Sequence, residues 1–179
     1  MSIELLAKQG RTRIYGGLAA VETSRLRQMR DNAMRSCFSR IEETACRMEH
    51  VAHIHGKEYI NDAASVSVNA TWYTLEKLDG GVVWIALGDD NQTDYTRLRP
   101  LALRKVRMLI CVGRDNSNLH RTFSGVVPEI IDAGSLAAAV QTSCYCGIDQ
   151  AKVLLSPATH PGTSVQELGR EYCHQVNEL

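Results

Sequence analysis

An excess of one charge is missing from this 179-residue chain: twenty Lys and Arg meet twenty Asp and Glu. That balance speaks against a strongly basic nucleic-acid binder and against an acidic disordered tail. No apolar run approaches the roughly 18 residues of a membrane-spanning helix, so no membrane partner is expected. The opening MSIELLAKQG has no basic n-region, apolar h-region or cleavage site, and the reading is a soluble cytoplasmic protein. The phosphate-cradling pattern G-x-x-x-x-G-K-[ST] is absent, and no G-x-G-x-x-G follows a strand-like run. Ser156 is not framed as G-x-S-x-G, and the close pair Cys144 and Cys146 is C-x-C rather than the C-x-x-C of redox and zinc sites. Internal repeats and low-complexity tracts are also lacking.

The composition is that of an ordinary globular chain, 44% hydrophobic and 22% charged. It is long enough to bury a core without disulfides. The six cysteines, Cys37, Cys46, Cys111, Cys144, Cys146 and Cys173, mostly sit inside apolar segments, where a thiol behaves as a small buried hydrophobe.

Charge is unevenly spread. Residues 1–47 carry nine basic and five acidic side chains, and residues 48–179 carry eleven and fifteen. This suggests two pieces, residues 1–45 and 46–179. From Glu22, Leu26, Met29, Ala33, Cys37, Phe38, Ile41 and Ala45 recur at helical spacing. Arg25, Arg27, Arg30, Arg35 and Arg40 fall mainly elsewhere around the wheel. Either this is the solvated face of a packed helix, or it is an arm for an acidic partner.

Beyond it, Met48–His55 and Glu58–Asn61 flank Gly56–Lys57 as a hairpin. Strand-like and helical segments then alternate. VVWIAL (Val82–Leu87), MLICV (Met108–Val112), VVPEII (Val126–Ile131) and KVLLS (Lys152–Ser156) read as strands, and Pro128 sends the third to a sheet edge or a bulge. Thr71–Leu78, Asp94–Lys105, Asn116–Phe123, Gly134–Cys146 and Ser164–Asn177 read as helices, with Pro100 breaking or kinking the second. Continuous apolar strands separated by helices predict a Rossmann-like, doubly wound, mostly parallel sheet, preceded by the hairpin and the N-terminal helix. Ligands of such sheets sit beyond the strand carboxyl ends, which directs attention to Gly88–Thr93, Gly113–Asn116, Asp132–Ser135 and Ser156–Thr163.

Those loops hold modest candidates. Asp89 and Asp90 would repel a phosphate unless a metal intervened; a solvated loop or an unspecific Mg²⁺ site are the alternatives. His50, His53 and His55 form H-x-x-H-x-H, and on a strand His53 and His55 would share a face. No carboxylate or thiol obviously converges on them, and no metal is expected. Ser156 with His160 four residues on lacks an evident acid for a hydrolytic triad.

Several segments in one order carry a resemblance: RMEHV (Arg47–Val51), YIND (Tyr59–Asp62), VNATWYTLE (Val68–Glu76), VVWIALGDD with Asp94–Tyr95, ICVGRDNSNLH (Ile110–His120) and VLLSPA (Val153–Ala158). Over roughly residues 45–179 the chain resembles the C-terminal domain of the Mur ligases. That resemblance implies a Rossmann-like fold and, in a complete enzyme, ATP-dependent amide-bond formation in peptidoglycan-precursor synthesis. The family's third domain closes over ATP bound by a central domain and brings in the amino acid.

The resemblance implies nucleotide contacts for Arg47 and Asp62, with Asn61 beside them, while the strand-end loops themselves offer a candidate site at Asp89, Asp90 and Ser156. The alternative is that Arg47, Glu49 and Asp62 form a structural ion network. The family's Asp-Ser-Lys-Ala-Thr-Asn run here reads Asp62-Ala63-Ala64-Ser65-Val66-Ser67, so Ala64 stands for the substrate-side Lys and Val66 for the Thr. Pro161 occupies the position of the carboxylate-binding Ser, and Cys46 that of a His. The expectation is an inactive binding or scaffold module with no catalytic residues. Its partner would be a protein, another copy included, and ATP with Mg²⁺ a weaker option. The alternatives are half of a split ligase acting in trans, and a fragment of a longer gene.

Overall fold

In a computed structural model the chain divides into two compact units, Met1–Arg40 and Ile41–Leu179. The structure describes residues 20–36, 46–88 and 92–179. In the first unit, residues 20–36 form helix α1. Val21, Leu26 and Met29 are 61–64% exposed, so the described part of the expected apolar stripe is unpacked. Arg25 and Arg30 fall on either side of Leu26 and Met29 at helical spacing, and burying that stripe would desolvate both guanidinium groups. Cys37, Phe38, Ile41 and Ala45, the rest of the stripe, lie outside the described residues.

The second unit opens with β1 (Glu49–Ile54) and β2 (Lys57–Asn61), an antiparallel hairpin. Its two-residue turn is His55–Gly56, both with positive φ (50° and 76°), the geometry that matches strand twist. His55 is therefore a turn residue and does not share a strand face with His53. Then follow α2 (Val68–Lys77), β3 (Val82–Leu87), a 3₁₀ turn (Tyr95–Leu98) running into α3 (Arg99–Lys105), β4 (Val106–Val112) and α4 (Ser117–Phe123). The chain closes with β5 (Glu129–Ala133), α5 (Leu136–Tyr145), β6 (Lys152–Leu155) and α6 (Val165–Asn177). Pro100 sits in the first turn of α3, where its missing N–H costs nothing; it starts that helix instead of kinking a longer one. Ser67, Ser135 and Ser164 accept the first free N–H groups of α2, α5 and α6, the last in a capping box with Glu167.

Among the described residues, six strands form one sheet in the order β1-β2-β6-β3-β4-β5. Only the β1–β2 pair is antiparallel. This is the expected α/β, mostly parallel sheet, with one change: the hairpin does not merely precede it, because β2 pairs in parallel with β6. Pro128 immediately precedes β5, which is the edge strand its lost N–H calls for. Side-chain alternation splits the strands between two cores. Val83, Ile85, Met108, Ile110, Val153 and Leu155 pack with Leu136, Ala139 and Val140 of α5 and Leu168, Tyr172 and Val176 of α6. Trp84 turns to the other face, where Phe123 of α4 meets it edge-on with ring centres 5.3 Å apart. The cysteines whose state is described, Cys46, Cys111, Cys144, Cys146 and Cys173, are all free thiols.

Two lysines close helix ends from inside. The Lys57 ammonium, on a residue only 3% exposed, donates to the carbonyls of Ser143, Cys144 and Cys146 at 2.6–2.8 Å, capping α5. Lys105 does the same for α2, donating to Leu75, Glu76 and Leu78 at 2.6–2.9 Å. Each supplies positive charge at the negative end of a helix dipole and satisfies carbonyls left over by the last turn. Replacing Lys57 by Met keeps the aliphatic stem but strands three carbonyls. It is expected to lower unfolding free energy by about 2–4 kcal/mol in urea titrations; a change below about 0.5 kcal/mol, the surface-substitution range, would contradict this role.

Candidate functional site

At the carboxyl ends of β2, β6 and β3 the ladder continues into the loops. Asp62 N–H donates to the Leu155 carbonyl (2.9 Å), Ser156 N–H to Ile85 (3.0 Å) and Ala158 N–H to Ser65 (3.0 Å). This brings together residues distant in sequence but all polar and all buried: Arg47, Asn61, Asp62, Ser65, Thr71, Thr74 and Ser156. Asp62 is at the centre with no exposed surface. Its carboxylate accepts from Met48 N–H at 3.2 Å and from Ser156 Oγ at 3.2 Å. Arg47 Nη1 stands 3.7 Å from it and donates to Ser65 Oγ at 2.7 Å. Ser156 Oγ also meets Thr71 Oγ1 at 2.8 Å, and its carbonyl accepts from Trp84 Nε1 at 2.8 Å. Arg47 is flanked by Cys46 and Met48, both at positive φ (61° and 46°), a conformation that non-glycine residues hold only when their surroundings impose it.

Burial holds the Asp62 carboxyl above its ordinary value of 3.8; the Arg47 charge, the Ser65 and Thr74 hydroxyls and the Met48 amide pull the other way without cancelling it. Asn61 turns to the other side of the strand. Its amide donates to Glu49 at 3.0 Å, and its side-chain carbonyl accepts from Ala63 N–H at 3.2 Å. Gly169 of α6 permits this close packing, since a Cβ there would lie 2.6 Å from Cys46 Sγ and 3.1 Å from Asn61 Nδ2. The structure thus gathers Arg47, Asp62 and Ser156 into one network and leaves Asn61 adjoining it. Asp89 and Asp90 lie outside the described residues. His160 Nδ1 faces the Pro161 carbonyl at 2.8 Å, while Ser156 is committed to Asp62 and Thr71, so no serine–histidine relay forms between them.

A second set of polar groups lies at the ends of β4 and β5. A cleft of about 670 Å³ is lined by Gly113, Arg114, Asp115, Asn116, Ser117, His120 and Asp132. His120 Nε2 lies 2.9 and 3.1 Å from the two Asp132 oxygens, and Asn116 Nδ2 donates to Asp132 at 2.7 Å. Gly88 is required beside it, because a Cβ would run into the Asn116 side-chain oxygen. The loops Gly113–Asn116 and Asp132–Ser135 were legible as strand ends, but the pairing of His120 with Asp132 was not. Among the described residues, the group with metal-ligand spacing is Cys111, His120 and Asp132, not the histidines of β1.

The Asp62 network makes a joint prediction for two variants. Asp62→Asn replaces one of the two oxygens that accept from Met48 N–H and Ser156 Oγ with a donor, and is expected to cost about 1–3 kcal/mol, most of it at acid pH. The Arg47→Met/Asp62→Asn double variant is expected to fall short of the summed single costs by about 1 kcal/mol or more. Because the Asp62 carboxyl is raised in the folded state, its contribution to stability is full below 3.8 and is lost as pH rises through its folded value. Asp62→Asn cannot ionise, so its deficit relative to the parent should shrink as pH rises through that acid range. Urea unfolding across pH measures both, and strict additivity or a deficit that widens with pH would contradict the network.

No family model matches the chain. It is 35% identical over 158 residues to the UDP-N-acetylmuramoylalanine–D-glutamate ligase of Porphyromonas gingivalis, covering 88% of this chain and 35% of that protein. The ligase of the same name from Christiangramia forsetii is 35% identical over 177 residues, with 97% of this chain and 40% of that protein covered. The one from Bacteroides fragilis is 30% identical over 190 residues, with 100% and 41% covered. The chain therefore spans between a third and two fifths of the length of these curated relatives. A solved structure of UDP-N-acetylmuramate-alanine ligase MurC from Thermotoga maritima overlaps 74% of this chain and 30% of that one, with a TM-score of 0.49 and 10% identity. With relatives of one name matching nearly its whole length, the chain carries a Mur ligase C-terminal-like domain, related to the D-glutamate-adding ligases.

Proposed function

We propose that this domain is a binding module on a Mur ligase scaffold, inactive as a ligase, working in the cytoplasm alongside peptidoglycan-precursor synthesis. The observation that carries this reading is the loop after β2. Its frame is intact: Ser65 N–H donates to Asp62 O (2.9 Å), Val66 N–H to Ala64 O (3.0 Å) and Ala64 N–H to Cys46 O (3.0 Å). Yet the two half-buried side chains it presents are Ala64 and Val66, at the positions where the resemblance assigns a substrate-side Lys and Thr. Pro161 likewise replaces a hydroxyl. Phosphoryl and acyl transfer depend on charge and donors placed where negative charge develops, and an apolar loop supplies neither.

The partner that this reading favours is a protein with an acidic surface. Helix α1 offers Arg25, Arg27, Arg30 and Arg35 together with exposed Val21, Leu26 and Met29, an apolar patch with a basic border suited to such a surface. The acidic excess of residues 48–179 makes a second copy one such surface.

A second reading, half of a split ligase acting in trans, is favoured by the retention of Arg47, Asn61 and Asp62, where the resemblance places nucleotide contacts with ATP and Mg²⁺. One assay separates the two. The full chain is mixed with a D-glutamate ligase whose third domain has been deleted, with Mg·ATP, UDP-N-acetylmuramoylalanine and D-glutamate. The expected result is phosphate release no higher than without the chain. Restored, chain-dependent turnover would overturn the binding-module reading in favour of the split ligase.

A further inference from the structure

We propose that Cys111, His120 and Asp132 form a binding site for a zinc-class divalent cation at the β4–β5 corner of the sheet. Register puts two of the ligands together. Cys111 and Asp132 are partners on adjacent parallel strands, so their side chains stand side by side on one face. The third comes from α4, which connects those two strands. Cys111 Sγ, a His120 ring nitrogen and an Asp132 carboxylate oxygen all lie within 4.8 Å of one another. Zinc bonds of roughly 2.3 Å to sulfur and 2.0–2.2 Å to nitrogen and oxygen would draw tetrahedral donors to about 3.3–3.8 Å apart. Closing the difference takes small side-chain rotations. The His120 and Asp132 side chains are 40% and 57% exposed and free to make them, while Cys111 is fixed within β4 and fully buried.

The donor set selects the ion class. One thiolate, one imidazole and one carboxylate suit zinc and its neighbours, whereas Mg²⁺ and Ca²⁺ take oxygen alone. Three protein ligands leave a fourth direction, toward the cleft lined by Gly113, Arg114, Asp115 and Ser117, for water or an anionic ligand. An outer partner is already in place. Asn116 Nδ2 donates to Asp132 Oδ1 at 2.7 Å and reaches the Cys111 carbonyl at 3.4 Å, orienting a ligand as outer-shell groups do at metal sites. A thiol-based relay through the same three residues fits less well. Burial, with Asp132 nearby, pushes the Cys111 thiol up to about 12, so it is a poor nucleophile, whereas a bound metal deprotonates a coordinating thiol outright. The site shares no residue with the Asp62 network and does not depend on the proposed function.

The full chain, stripped with chelator, is titrated with Co²⁺ alone and then with Zn²⁺. The expected result is one cobalt per chain with a thiolate-to-cobalt charge-transfer band, lost on adding one equivalent of zinc. Cys111→Ser alters a core position, so the partly exposed His120→Ala and Asp132→Asn carry the test. Both are expected to abolish the band while unfolding at the parent's metal-free midpoint. Asn116→Ala is expected to weaken zinc about tenfold. Absence of the band in the parent, or its persistence in His120→Ala and Asp132→Asn, would overturn the proposal.

Discussion

A carboxylate without solvent is the constraint around which the second unit is arranged. Asp62 closes β2, and its oxygens are met by the backbone entering β1 and by the hydroxyl ending β6. Arg47 ties the same point to Ser65, and Ser156 ties it to Thr71 of α2. Three strand ends and one helix therefore share one polar centre. Such a centre adds little net stability, since desolvating a charge consumes most of what pairing returns. What it adds is uniqueness: any slip of β2 against β6 would leave a buried charge unmet, at a cost of several kcal/mol. The positive φ of Cys46 and Met48 is held by the same centre.

This arrangement has a functional consequence. Groups that the family resemblance associates with nucleotide are here turned into the interior, and the loop that should carry substrate-side charge presents Ala64 and Val66. The polar groups still open to solvent lie further along the same sheet edge, in the cleft between the ends of β4 and β5. Helix α1, residues 20–36, carries the exposed Val21, Leu26 and Met29 among its arginines.

How much of this was legible in the sequence depends on the range of the forces involved. VVWIAL was readable as β3 to the residue, because a buried parallel strand is one apolar run bounded by glycines. The hairpin and the helices were legible from local pattern, although the turn falls at His55–Gly56 and not at the Gly56–Lys57 read from the sequence. Pro100 was read as breaking or kinking the Asp94–Lys105 segment, and a break is what forms, between a 3₁₀ turn and α3, because a proline's missing N–H suits a helix start. The insertion of β6 between β2 and β3 was not legible, since strand order depends on which edges remain open after the crossovers form. The Cys111–Asp132–His120 grouping was hidden for a related reason. It needs both the register of β4 against β5 and the α4 connection that brings in His120, and spacing along the chain carries no trace of it. Arg47 and Asp62 were found by resemblance, but their burial needed the fold.

The central claim is that the Arg47–Asp62 centre is interior scaffolding and not a ligand site. Calorimetric titration of the full chain with Mg·ADP and Mg·ATP, followed by amide chemical shifts around Met48 and Asp62, tests it most directly. The account predicts no binding heat up to millimolar nucleotide and unmoved shifts at both positions. Micromolar binding with shifts centred on Met48 and Asp62 would contradict it, and would mean that this polar centre opens to take a nucleotide.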